Sequence, residues 1–228
     1  MSPTSSETSN RRSNASNSPV GLGVWVGLAA LFATLAFLSG QPERNLLYDY
    51  GFAAAAAANW VILVGLTLGI AYAYERPIEA LGLRRFEARW VGVAFGVVVG
   101  ALVVSALLEP ILHGGREQGL EPTSWQPAHA GAFAVNAALV VVFGPFSEEL
   151  FYRGLGVRAL VPFGSVVAIA GSALAFGLAH GVLAALPPLA LFGAGLAWVR
   201  LRSESVWPGV LAHMAYNGLA LAVTMASL

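Results

Sequence analysis

The sequence predicts an all-α protein, a polytopic membrane helical bundle of about seven transmembrane helices with a buried polar site. Three observations predict it. Of 228 residues, 57% are hydrophobic and only 11% charged, far from the soluble average, and the mean hydropathy is +0.70. Apolar runs close to the roughly 20 residues that cross a bilayer recur along the chain. The few polar groups inside those runs gather in three short motifs.

Residues 1–19 are rich in Ser, Asn, Thr and Pro and carry Arg11 and Arg12, too polar to bury a core, and read as a disordered tail. The twin arginine before an apolar run is a feature of export signals, but 20–39 is long enough to span and no convincing small-residue cleavage site follows, so an uncleaved first helix is expected. Further spans are expected at 51–74, 90–108, 130–160, 164–180, 187–199 and 206–228. The longest connection, 109–129, is too short for a second domain, and no internal repeat is visible. Residues 20–228 therefore read as a single membrane domain.

All twelve basic residues are arginine, balanced by twelve acidic residues, so net charge gives no sign of a nucleic-acid partner. Their placement is informative. Ten fall in the tail, in 75–89, in 153–158 and in 200–202, whereas Arg44 and Arg116 occupy the alternate connections. The positive-inside rule then places the N-terminus in the cytoplasm and, with seven spans, the C-terminus outside, in what is expected to be the plasma membrane. Gly92, Gly96 and Gly100 on the third span predict close approach of a neighbouring backbone. Trp60, Trp90, Trp198 and Trp207 lie near helix ends and read as interfacial anchors, and His113 and His129 as solvated loop residues.

A charged side chain inside a span costs at least a few kcal/mol (about 2.5–3.5 on insertion scales), so such residues are functional candidates. Here they are Glu148, Glu149 and Arg153 in one span, His180 at the end of the next, and His213 with Asn217 in the last. Counting about 1.5 Å per residue from the turns near 161 and 204 places these groups at middle depths of the membrane. Glu149 and Arg153 are four apart and share a helix face, which suits an ion pair that holds the structure. Glu148, turned about 100° away, is left for proton transfer, although exchange of the two glutamates' roles stays open. His213 and Asn217 are also four apart and suit an oxyanion hole.

With no Cys, thiol proteases and Cys-ligated zinc are excluded. Glu148 with His180 can activate a water that attacks a peptide carbonyl, while His213 and Asn217 stabilise the tetrahedral oxyanion. The same Glu148, His180 and His213 are candidate ligands of a divalent metal such as zinc, and the residue types alone do not choose between a metal and none. The paired-histidine zinc signature around a Glu is absent, as is a serine elbow. The alternative from another class is a non-catalytic membrane protein: a proton-coupled transporter, or an immunity or scaffold protein.

In order, Glu148-Glu149-x-x-x-Arg153, Phe176-x-x-x-His180 and His213-x-x-x-Asn217 resemble the CAAX-protease and bacteriocin-processing family of intramembrane endopeptidases, which includes the type II CAAX prenyl endopeptidases. The resemblant core runs over 130–222 and includes Ser205-Val206-Trp207-Pro208-Gly209. The resemblance implies a helical fold with a cavity open to the cytoplasm, catalytic Glu148, Glu149, His180, His213 and Asn217, and support from Arg153. Its implied partners are the bilayer and a peptide or protein substrate. It leaves both the metal and the substrate open.

Overall fold

The structure is a computed structural model that describes residues 19–39, 45–112 and 124–228. The tail, Arg44, Arg116 and His113 lie outside the described residues. Among the described residues the chain is helical, with no strand. The main helices are α1 (Pro19–Leu38), α2 (Tyr50–Ala71), α3 (Arg89–Leu112), α4 (Pro127–Phe163), α5 (Ser165–Leu178), α6 (Leu186–Ser203) and α7 (Trp207–Ala226).

Local chemistry explains several ends. The Asp49 carboxylate caps α2 by accepting the Gly51 N–H at 2.7 Å. Prolines open α4, α6 and α7, where a missing N–H removes no helical bond. At the turn after α5, Gly181 has φ +68°, and any Cβ would strike the carbonyl oxygen of Ala36, so only glycine fits.

By length and composition five helices can cross a membrane: α1, α2, α3, α4 and α7. The count of seven expected from hydropathy includes α5 and α6, which do not reach that standard. α5 has 14 residues, and α6 has 18 but ends in Arg200 and Arg202. These two pack side by side as a hairpin, wedged between α4 and α3. Burial against protein replaces the length that a lipid-facing span requires.

The glycine stripe of α3 behaves differently from expectation. Gly92, Gly96 and Gly100 face open space with nothing within 4 Å of a built Cβ, because α3 buries the other side, Ala94, Val98 and Ala101, towards α6 and α7.

Helix α4 has 37 residues, and at about 1.5 Å per residue an ideal helix of that length is nearly twice the roughly 30 Å apolar thickness of a bilayer. It is interrupted by two π-helical segments, Leu139–Phe143 and Glu149–Gly156. A π turn widens the helix and loosens the carbonyl ladder, and side chains occupy the carbonyls it frees. Trp25 Nε1 on α1 donates to Phe151 O at 3.1 Å, Ser172 Oγ on α5 to Tyr152 O at 2.9 Å, and Asn217 Nδ2 on α7 to Val140 O at 2.9 Å. Ser147 Oγ supplies a fourth, to Phe143 O at 2.7 Å. Three helices are thus fastened to α4 at its irregular turns.

Replacing Trp25 by Phe keeps the buried ring but strands the Phe151 carbonyl, so the protein is expected to lose about 1–3 kcal/mol in a reversible detergent unfolding titration. Thr34→Ala on the exposed face of the same helix, which removes only a local bond to Ala30 O, is expected to leave the midpoint unchanged.

Candidate active site

The two glutamates sit at the junction of α4's central α-helical segment, which ends at Glu148, and its second π segment, which begins at Glu149. Their environments differ sharply. Glu149 is fully buried and pairs with the equally buried Arg153, Oε1 to NH1 at 2.8 Å. The Arg153 guanidinium also lies over the Phe176 ring, 4.2 Å from its centroid. Two glycines make the room: a Cβ on Gly209 would stand 2.9 Å from Glu149 Oε2, and one on Gly193 2.9 Å from Arg153 NH2. Glu148, by contrast, keeps 20% of its side chain exposed and reaches a cavity.

His213 joins the two carboxylates. Its Nδ1 lies 3.0 Å from Glu149 Oε1 and its Nε2 3.8 Å from Glu148 Oε2. Because a carboxylate oxygen accepts, Nδ1 carries the hydrogen in that contact, and Nε2 is the atom turned to Glu148. Phe176 and Phe192 stand edge-on to the imidazole, each with centroids 5.4 Å away, and fix the plane of the ring. His180 Nδ1 lies 2.9 Å from the Phe176 carbonyl, which can only accept, so Nδ1 is the protonated nitrogen and Nε2 is the free one. Asn217 spends one amide hydrogen on Val140 O and keeps a second N–H.

Glu148, His180, His213 and Asn217 all line one cavity of about 460 Å³. Glu149 and Arg153 do not reach it and lie beneath its floor. Glu148, His180 and His213 do not, however, converge as a metal site: among the described residues no group of three His, Asp, Glu or Cys side chains has metal-binding geometry. Each histidine is hydrogen-bonded through Nδ1 only, His213 with Glu149 and His180 with the Phe176 carbonyl of its own helix.

Sequence reasoning missed two contributors. Trp60, expected as an interfacial anchor, instead donates from Nε1 to Glu148 Oε1 at 3.3 Å and lines the cavity. It sits mid-way along α2, opposite Gly144, where its ring replaces a side chain that α4 lacks. Tyr216 stacks on Phe192 at 4.5 Å and its hydroxyl lies 3.1 Å from Ser105 Oγ. Its position beside Asn217 was the only hint. Trp90, Trp198 and Trp207 keep partly exposed places at helix ends, with Trp90 and Trp198 in edge contact at 6.1 Å. His129 is exposed.

The cavity runs in an unexpected direction. From Glu148 its lining passes to Phe52 at the start of α2, Leu112 at the end of α3 and Thr224 near the end of α7. All three are helix ends remote from the arginine-rich connections. The expectation that the cavity and the arginines share one side is therefore not met. The arginine-rich end is closed by Arg153, Phe151 and Leu155 in α4, all buried.

Residues 130–219 match the family described as type II CAAX prenyl endopeptidase Rce1-like. The match covers less than half of the chain, and over that segment the chain is similar to this family. The match spans helix α4 and runs through most of α7, and so takes in every residue of the three motifs. It agrees with the resemblance carried by those motifs, while Trp25 and Trp60 lie on helices outside it. No curated protein and no solved structure matches the chain.

The Rce1-like segment thus holds a buried ion pair whose halves depend on each other. Arg153→Met alone leaves Glu149 buried without its cation and is expected to destabilise by about 3–5 kcal/mol. The double variant Glu149→Gln with Arg153→Met is expected to lose less than the sum of the single variants, read from thermal unfolding in detergent.

Proposed function

We propose that this chain is an intramembrane endopeptidase that hydrolyses a peptide bond of a membrane-associated protein or peptide with a water activated by Glu148. One observation carries the reading: Glu148 alone of the two glutamates reaches the cavity, while Glu149 is committed to Arg153 and His213. The Rce1-like match over 130–219, whose description names an endopeptidase, supports the same reaction class.

In this reading Glu148 is the general base. It takes a proton from a water held between its carboxylate and the free Nε2 of His180, and the hydroxide adds to the substrate carbonyl. The negative charge that develops on the carbonyl oxygen is met by the second N–H of Asn217 and by an Nε2–H of His213 in its imidazolium form, whose Nδ1–H is held by Glu149. Glu148 then returns the proton to the leaving amine as the C–N bond breaks, so no covalent enzyme intermediate is formed. Trp60 restrains one oxygen of Glu148 and directs the other towards His213. Arg153, through Glu149, sets the depth and tilt of His213. No step is routed through a metal, because Glu148, His180 and His213 do not form a three-ligand set.

The apolar walls of the cavity, among them Phe52, Leu108, Leu189 and Leu221, suit a hydrophobic stretch of substrate beside the scissile bond. With the arginine-rich ends placed in the cytoplasm by the positive-inside rule, the cavity is entered from the opposite half of the membrane.

Cleavage of a membrane-peptide library by purified protein is expected to fall by about 10²–10⁴-fold in Glu148→Gln, with unchanged helicity. Trp60→Phe is expected to lower kcat by about tenfold with little change in KM, as for loss of one hydrogen bond to a reacting group. A Glu148→Gln enzyme that cuts at the native rate sinks the assignment. Because the chain has no Cys, single-cysteine variants report orientation cleanly. A membrane-impermeant maleimide is expected to label Ser227→Cys in intact cells, and Glu75→Cys only after permeabilisation; the reverse pattern inverts the topology.

A further inference from the structure

A second pocket, of about 430 Å³, lies at the arginine-rich end, opposite the direction taken by the catalytic cavity. Its walls come from the α2–α3 connection, the end of α4 and the end of α6. Most of its charges neutralise one another at the rim. Glu79 bridges Arg76 at 3.4 Å and Arg84 at 2.7 Å, and Glu204 bridges Arg84 at 3.3 Å. The Arg84 hydrogen bond holds the Glu79 carboxyl below its ordinary range, so that this exposed network stays ionised. The remaining carboxylate, Glu75, is exposed.

Arg200 is the exception. It is only 9% exposed, yet among the described residues no carboxylate stands within ion-pair distance of it, and its buried Nε has no hydrogen-bond partner. The protein has nevertheless shaped itself around this guanidinium. Gly82, at φ +71°, presses its backbone against Arg200 where any Cβ would collide, and the loop is stitched down by Val206 N–H to Gly82 O at 2.9 Å and Ser205 Oγ to Arg84 O at 2.8 Å. Across the pocket, Arg158 places a second guanidinium 5.8 Å from the centroid of the Tyr74 ring.

A buried guanidinium without a counter-ion is unfavourable, and its planar fork of N–H donors matches the oxygens of a phosphate. The pocket also lies where the apolar helices end, the depth of lipid headgroups. We propose that it binds a phosphate-bearing anion, with Arg200 as the principal ligand and Arg158 as the second, the phosphate belonging either to an anionic lipid headgroup or to a free ion.

Binding of pyrene-labelled phosphatidylglycerol to the full-length protein in neutral micelles, read by energy transfer from tryptophan, tests this. Saturable binding is expected, with labelled phosphatidylcholine at least about tenfold weaker. Arg200→Gln is expected to weaken phosphatidylglycerol binding about tenfold or more, Arg158→Gln severalfold, and Arg202→Gln, on the same helix end but outside the pocket, not at all. Displacement of the lipid by millimolar inorganic phosphate assigns the free ion as a sufficient ligand; saturable lipid binding without displacement assigns the headgroup. If Arg200→Gln loses cooperative thermal unfolding, Arg158→Gln decides. Equal binding of both lipids, or phosphatidylglycerol binding unchanged in the pocket variants, overturns the proposal.

Discussion

The buried pair of Glu149 and Arg153 is the interaction on which the rest of the site depends. Both side chains are fully buried, 2.8 Å apart, within a helix long and apolar enough to cross a membrane. Removing either charge alone leaves the other in a medium that cannot solvate it, so the pair persists only as a unit. Around it the structure has arranged an aromatic face from Phe176, gaps left by Gly193 and Gly209, and the Nδ1 of His213. These contributions come from α5, α6 and α7. Formation of the ion pair therefore registers three helices against α4, and Glu148, one residue away, inherits that registry.

The π segments of α4 do related work on the backbone. A regular helix offers no free carbonyl to its neighbours within a membrane, where each must be satisfied internally. By loosening the ladder at Val140, Phe143, Phe151 and Tyr152, α4 acquires acceptors that Trp25, Ser172 and Asn217 reach from other helices. Asn217 is notable because the same amide that anchors α7 keeps an N–H in the cavity. Its placement relative to His213 is thus set by backbone geometry 77 residues away as well as by their spacing on α7.

The two ends of the bundle have separate characters. Towards the arginine-poor ends of α2, α3 and α7 the interior is open, apolar and continuous with Glu148, whereas the arginine-rich end is sealed by the side chains of α4 and carries a shallow charged pocket. The loop at this end is held by the Val206 N–H to Gly82 O and Ser205 Oγ to Arg84 O hydrogen bonds.

Much of this was legible in the sequence. Hydropathy fixed the helical membrane class, and motif spacing placed Glu149 with Arg153 on one face, because one turn of helix is a local property of the chain. Periodicity and spacing also gathered Glu148, His180, His213 and Asn217 as candidates. What local rules do not carry is long-range geometry. That α5 and α6 shelter against protein as a hairpin, that Trp60 turns inward to Glu148, that the Gly92 stripe faces open space, and that the cavity runs away from the arginines all follow from which faces pack together. The sequence by itself determined the composition of each helix and the residues it can offer. Only the tertiary structure decided which of them meet, since a hydrogen bond such as that between Trp60 and Glu148 joins positions 88 residues apart and exists only once three-dimensional packing has brought them within 3.3 Å.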